Sequence, residues 1–463
     1  MYTLSKNLKL SAIIFMVVGA LLFAVDAMYM PSSIADIEAM HAGDDHGESH
    51  DTAVSGDGHD THEAIATAKG HGEDHAVASH QAEEGHAMSE AEHNQHLLDG
   101  YKNKPWSAVY VAAFFFFMIS LGCLAFYAVQ YAAQAGWSPL LLRVMEGITG
   151  YLLPGSIIML ILLALSGFHF NHIFHWMADG ITDPTSENYD KLIAGKSDWL
   201  NVPWLLIRAV IFIAGWNAYR FFAVKFSKEQ DEATDNKSHK KSFKLAAAFL
   251  VFFLYTESMM SWDWIMSIDP HWFSTLFGWY VLAGMMVCGI TTIALITMIL
   301  KGAGYLQSVN DSHIHDLAKF MFGFSIFWTY LWFSQFMLIW YSNIPEEVTY
   351  YIQRIEDYNL PFFGMLIMNF LFPLLILMNS DFKRVNWFVV MAGIVILLGH
   401  YVDIYNMVMP GTVGQAWSFG FVELGSLMFF FGLFVLIVFT SLTKRPLEPK
   451  RNPLIEESKH FHY

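Results

Sequence analysis

The sequence predicts an all-α fold: a polytopic membrane helical bundle of about ten transmembrane helices, with both termini cytoplasmic. Three observations lead there. Hydrophobic residues make up 55% of the 463 residues and charged residues only 15%, against about 25% charged in soluble proteins. The apolar residues gather in runs of about 20 or more, the length a helix needs to cross the hydrocarbon core while satisfying its own backbone. Lysine and arginine crowd into alternate connecting segments, as the positive-inside rule expects.

The spans are read at roughly 9–30, 106–134, 139–168, 202–224, 243–264, 273–300, 314–342, 359–379, 386–408 and 418–442. Aromatic residues mark their ends: Trp106, Trp137, Trp204, Trp272, Trp340, Tyr341, Trp387 and Trp417 fit an interfacial belt. The first run is followed by Val25-Asp26-Ala27, which loosely resembles a signal-cleavage site. The run is longer than a signal core, so residues 1–30 are expected to stay as an anchor helix. Lys6, Lys9, Lys225, Lys228, Lys237, Lys240, Lys241, Lys244, Lys301, Lys383, Arg384, Lys444, Arg445, Lys450 and Arg451 fall in one alternating set of segments. The other set holds only Lys69, Lys102, Lys104, Lys191, Lys196 and Arg354. An even number of crossings puts the rich set on the cytoplasmic side, with residues 443–463 as a cytoplasmic tail. Loops 31–104, 169–201, 265–272, 343–358 and 409–417 then face outward.

The net charge of −16 belongs mostly to one segment: residues 31–104 carry sixteen Asp and Glu against three Lys. Eleven of the 21 histidines lie in 41–96, among Asp, Glu, Gly, Ala and Ser. So few apolar residues predict a mobile loop. Three uses fit it: a weak polydentate metal buffer, a solvated acidic spacer, or a surface for a basic partner. No spacing repeats as a fixed ligand set, which favours the spacer. Cys123 and Cys288 sit in apolar runs, and there is neither a C-x-x-C-H haem-attachment motif nor a cysteine cluster for iron and sulfur.

Ionisable groups inside the spans are costly and face protein or water. The outer layer contains His169, His172, Arg208, Glu257, Asp263, His400, Asp403 and Glu423; the inner layer contains Glu146, Arg220, Asp316 and Lys319. His400 and Asp403 are three apart and share a helix face, as do Arg143 with Glu146 and Asp316 with Lys319. Such layers can pass protons through intervening water, and Thr329, Tyr330, Ser334 and Gln335 would extend a wet path between them. The alternative is structural, with Arg143, Arg220, Asp316 and Lys319 snorkelling from helix ends. His400 with His169 or His172 offers the only pairs for haem b, and the latter two sit at a helix edge, which argues against it.

The run Trp262-Asp263-Trp264-Ile265-Met266-Ser267-Ile268-Asp269-Pro270-His271-Trp272-Phe273-Ser274-Thr275-Leu276-Phe277-Gly278 is the most specific string in the chain. It resembles the signature of the F-type (ActF-like) membrane subunit of bacterial alternative complex III, a relative of the NrfD/polysulfide-reductase-type membrane proteins. The likeness covers residues 105–442, an NrfD-like transmembrane domain, and leaves the acidic loop outside. It implies a non-catalytic subunit of a quinol:cytochrome c or oxidase oxidoreductase in the bacterial inner membrane, with the His-rich loop periplasmic. No cofactor would belong to this chain. Haem c and iron–sulfur clusters would lie on partner subunits, and menaquinol or another quinol at a neighbour. The partners implied are a C-type NrfD-like subunit, an iron–sulfur subunit, multihaem cytochromes c and a haem-copper oxidase; lipids are expected and nucleic acid is not. The charged layers would be proton half-channels.

Three other functions fit the residues. A secondary transporter for a divalent metal or other ion would use 41–96 as a collector and His400 with Asp403 in mid-helix. A passive scaffold would pack the complex without moving protons. A direct quinol site would use an outer histidine as proton acceptor.

Overall fold

The computed structural model describes residues 2–38 and 90–462. Among them every regular element is a helix, and ten helices are long and apolar enough to cross a membrane. They are α1 Lys6–Tyr29, α2 Glu90–Ala132, α3 Pro139–Gly167, α4 Val202–Glu232, α5 Lys237–Trp264, α6 Phe277–Gly302, α7 Asp311–Ser342, α9 Asn359–Leu377, α10 Asn386–Thr412 and α11 Phe421–Leu442. The shorter α8, Pro345–Glu356, connects α7 to α9, and α12, Ile455–Lys459, closes the chain. The ten helices fit a multi-pass membrane protein, as the sequence led us to expect. The acidic segment departs from that reading at its end, because helix begins at Glu90 and runs on into the span instead of starting at 106. Residues 39–89, with most of the histidine-rich run and its metal-buffer reading, lie outside the described residues.

Helix starts are set by local chemistry. Ser5 Oγ accepts from Leu8 N at 3.1 Å ahead of α1. Asn201 Oδ1 accepts from Trp204 N at 3.0 Å, with Pro203 in the first turn of α4. Asn310 and His313 cap α7 reciprocally. Each arrangement satisfies N–H groups that have no partner within the helix.

Two helices are apolar on all sides and form the centre. Over their apolar windows, α2 is 94% buried and α6 is 89% buried, as expected of core helices. They cross at glycines: a Cβ on Gly122 would lie 2.1 Å from Met285 O, and one on Gly289 would lie 2.7 Å from Cys123 N. Only hydrogen lets the two backbones approach so closely. The surrounding helices turn one face inward and leave Leu153, Ile157, Ile161, Val210, Ile211 and Val251 exposed, an outward apolar surface suited to lipid.

The first helix packs on the last. Gly19 and Gly425 face each other, each blocked from carrying a Cβ by the other's carbonyl oxygen at 2.6 Å. Of α1 only Ala12 and Gly19 are buried. The helices run antiparallel, so Tyr2 meets Phe439 with ring centroids 6.2 Å apart. Lys6 and Leu442 therefore lie at one face of the bundle, the terminal face; the opposite face is the loop face.

Candidate functional site

Most of the residues picked out by sequence fall into five separate groups. The first centres on Asp403 of α10. His400 lies one turn before it, 0% exposed against 2% for Asp403. His400 Nδ1 is 3.4 Å from Asp403 Oδ2, and Trp328 Nε1 of α7 donates to the same oxygen at 3.0 Å. The Tyr280 hydroxyl of α6 donates to Oδ1. Trp328 also sets its ring edge-on to His400, with centroids 5.3 Å apart. His400 Nε2 is buried without a hydrogen-bond partner.

This group continues toward the loop face. A cavity of about 20 Å³ borders Tyr280, Gln335, Tyr351, Arg354, Asp403 and Asn406, room for about one water. Gln335 Nε2 donates to the Tyr351 hydroxyl at 3.2 Å, and Ser274 Oγ donates to Gln335 Oε1 at 3.2 Å. Ser274 belongs to the half-buried connection before α6. On the other side of His400, the chain widens into a π-helical turn at Ile367–Leu371, ahead of Pro373. There Asn369 is 0% exposed, lies over the backbone of Gly399, and leaves both amide atoms unpartnered. π-Turns in long helices gather at functional positions. Toward the terminal face, Ser325, Thr291 and Thr297 carry buried hydroxyls that also lack partners.

Arg354 corrects the sequence reading. The sequence reads 343–358 as an outward loop; the structure forms α8 there and lays Arg354 against the bundle at 2% exposure. Its Nε donates to Asn406 O at 3.1 Å, its Nη1 donates to Tyr350 O at 2.8 Å, and its guanidinium lies 3.3 Å from the Tyr350 ring centroid. Nη2 has no hydrogen-bond partner. Spacing could have found it: Tyr350, Tyr351 and Arg354 share one face of an otherwise polar helix.

The second group is a closed ion pair. Arg208 Nε and Nη2 donate to the two oxygens of Asp263 at 2.6 and 3.0 Å, and Trp199 Nε1 adds a third bond at 2.8 Å. The third is Glu423 at the start of α11, which accepts from Gly420 N at 2.8 Å and lies 3.6 Å from Lys104 Nζ. Lys104, assigned by sequence to the outward loop, is 4% exposed. Glu257 stands apart: it is 0% exposed, accepts from Ser261 Oγ at 3.0 Å, and leaves Oε2 without a partner.

The inner residues divide in two. Glu146 sits between Arg143 Nη1 at 2.6 Å and Arg445 Nη1 at 3.3 Å, with Ser227 Oγ donating at 2.5 Å. Asp316 and Lys319 pair at 2.7 Å on α7, with His315 Nδ1 3.6 Å from the same carboxylate. His169 and His172 are both exposed, and His169 lies 3.7 Å from Asp179. Neither joins the buried His400. Of the polar run on α7, Gln335 is buried in the first group, whereas Tyr330 is 64% exposed and faces outward.

The Trp262–Gly278 string turns out to brace the loop face. Trp264 is buried between Phe117 and Trp216, and its carbonyl accepts from Tyr110 at 2.7 Å. Trp272 is buried too, stacked on Tyr350 at 3.8 Å. His271 Nε2 meets Asp190 Oδ2 at 2.5 Å, and Pro270 O accepts from Lys196 Nζ at 2.6 Å. One short string thus positions Asp263 in the second group and Ser274 at the end of the first. No protein-family model and no curated protein matches the chain.

Proposed function

We propose that this chain is a membrane subunit of a respiratory quinol-oxidising complex of the alternative complex III type, in which it carries protons without making bonds of its own. The terminal face is cytoplasmic in this reading, because Lys6, Lys9, Lys444 and Arg445 lie there. Residues 31–104 are then periplasmic and the membrane is the bacterial inner membrane. The redox centres belong to partner subunits.

One observation carries the proton role. A histidine and a carboxylate are buried together in mid-bundle, with His400 Nε2 unpartnered, and a run of polar groups leads from Asp403 to Ser274. Burying polar groups without partners costs free energy, so such a line is retained where water or a proton uses it. Protons would pass between the Asp316–Lys319 pair and the loop face by way of His400 and Asp403, with Ser325 and Thr291 between. Glu146, held by two arginines, is a structural anchor in this scheme. The closed Arg208–Asp263 and Lys104–Glu423 pairs favour scaffolding as a second duty of the same chain.

Gentle detergent extraction tests the assignment. Material pulled down through this chain should show c-type haem absorbance together with quinol oxidation. A chain that purifies alone, with neither, overturns it.

A further inference from the structure

At the terminal face a second, larger cavity opens, of about 200 Å³. It lies between the first turns of α3, the body of α4 and the segment after α11, and it plays no part in the proton line. Four cations border it, Arg143, Arg220, Lys444 and Arg445, with Glu146 as the single carboxylate. Asp231 balances Arg143 from outside the lining, so the cations exceed the carboxylates by two. Arg220 makes one hydrogen bond, Nε to Thr149 Oγ1 at 3.2 Å, and neither Arg220 nor Lys444 forms an ion pair among the described residues. Arg143, 3% exposed, leaves Nε without a partner.

Half-buried Arg220 and exposed Lys444, with donors left unused at the mouth of a cavity floored by buried Arg143, suit an anion. Arginines arranged about one pocket suit the oxygens of a phosphate. The depth fits a membrane headgroup: Arg220 is one turn inside the end of the apolar part of α4, and Lys444 follows the end of α11 directly. Within three turns of Gly147 along α3, Leu153 and Ile157 are 48% and 49% exposed, and Phe221, next to Arg220 on α4, is 63% exposed, an apolar flank on which hydrocarbon chains would lie. A free phosphate ion has no use for that flank.

We infer that this cavity binds a phosphate-bearing anion, and that the source is the headgroup of an anionic membrane lipid. Arg220, Arg445 and Lys444 hold the phosphate oxygens, and Arg143 fixes the floor through its bonds to Glu146 and Asp231. The site gives the chain a preference for anionic lipid in the leaflet at its terminal face.

The full chain reconstituted in nanodiscs of equal phosphatidylglycerol and phosphatidylcholine provides the test, read by native mass spectrometry of retained lipid. Phosphatidylglycerol should be retained selectively, and Arg220→Gln or Lys444→Gln should each lower its retention about five-fold, the loss of about 1 kcal/mol per cation near the surface. Lys240→Gln, an exposed cation elsewhere on the terminal face, should leave retention unchanged. Equal retention of the two lipids, or equal loss in all three variants, overturns the site. Displacement of the lipid by millimolar inorganic phosphate, with direct phosphate binding that survives delipidation, overturns the lipid as its source. Thermal melting of each variant in detergent separates a lost site from a lost fold, since Arg220 and Lys444 make no ion pair whose removal would unfold the bundle.

Discussion

The indole of Trp328 donates to Asp403 Oδ2 at 3.0 Å while its ring stands edge-on to His400. One side chain from α7 thereby fixes both members of the buried pair on α10. The carboxylate cannot turn away from Tyr280, and the imidazole cannot tilt into α7. Such rigid support is what holds a proton-transfer geometry in place.

Asp403→Asn keeps the size of the side chain but offers only one acceptor oxygen to Tyr280 and Trp328. Proton transfer through the assembled complex should slow by about 10²-fold, while quinol oxidation continues. His400→Phe should act in the same direction. Proton release and electron flow measured together in vesicles check both, and an unchanged proton-to-electron ratio rejects the relay.

Arg208→Ala should damage folding more than activity. It leaves the Asp263 carboxylate, which is 0% exposed, with Trp199 as its only donor among the described residues. Removing one partner of a buried pair costs about 3–5 kcal/mol. The variant should show poor membrane accumulation and a lowered melting temperature, and Arg208→Lys should recover part of the loss because it restores charge without the two-pronged geometry.

Glu257→Gln should behave oppositely. No cation pairs with Glu257 among the described residues, so the amide strands no opposite charge, and melting should stay within about 1 kcal/mol of the parent. A fall in proton movement at unchanged melting would mark Glu257 as a working carboxylate; unchanged proton movement removes it from the path.

Gly19→Ile should release α1 from α11, because a Cβ there meets Gly425 O at 2.6 Å. Cysteines placed at positions 15 and 431, where the native rings meet with centroids 5.4 Å apart between the same two helices, should be bridged by a short bifunctional thiol reagent in the parent and not in the variant. The remaining helices should keep their melting behaviour.

At the loop face, acid should loosen the connection at 190–194. Burial by itself would lift the Asp190 carboxyl, but the Ile193 N–H, His271 and the Leu192 N–H outweigh it and hold it below the usual carboxylate range. A depressed carboxyl stabilises the fold fully above its unfolded-state value and loses that contribution as pH falls through its folded value. Protection of the Leu192 and Ile193 amides, relative to their intrinsic exchange at each pH, should therefore fall on acidification below the ordinary carboxylate range, and Asp190→Ala should show low protection at every pH.

The spans were readable because bilayer thickness sets their length, and α2 and α6 are as apolar as their central places require. The pairing of His400 with Asp403 was readable from a spacing of three on one helix. Partners from other helices were not: nothing in the local sequence says that Tyr280 and Trp328 converge on Asp403. Lys104 was missed because a charge counted within a loop gives no sign of being folded back under it, and Arg354 because 343–358 was read as a loop, so that its spacing from Tyr350 and Tyr351 went unused. Asn369 was missed because a π-turn carries no local signature beyond the nearby Pro373.

With two residues buried out of 24, α1 adds almost nothing to the interior. What it adds is parity. With ten spanning-length helices, the tail after Leu442 and the residues before Lys6 come to the same face of the bundle. A glycine seam between the first and last spanning-length helices thus fixes the face of the bundle at which the amino end emerges, while adding almost nothing to the core.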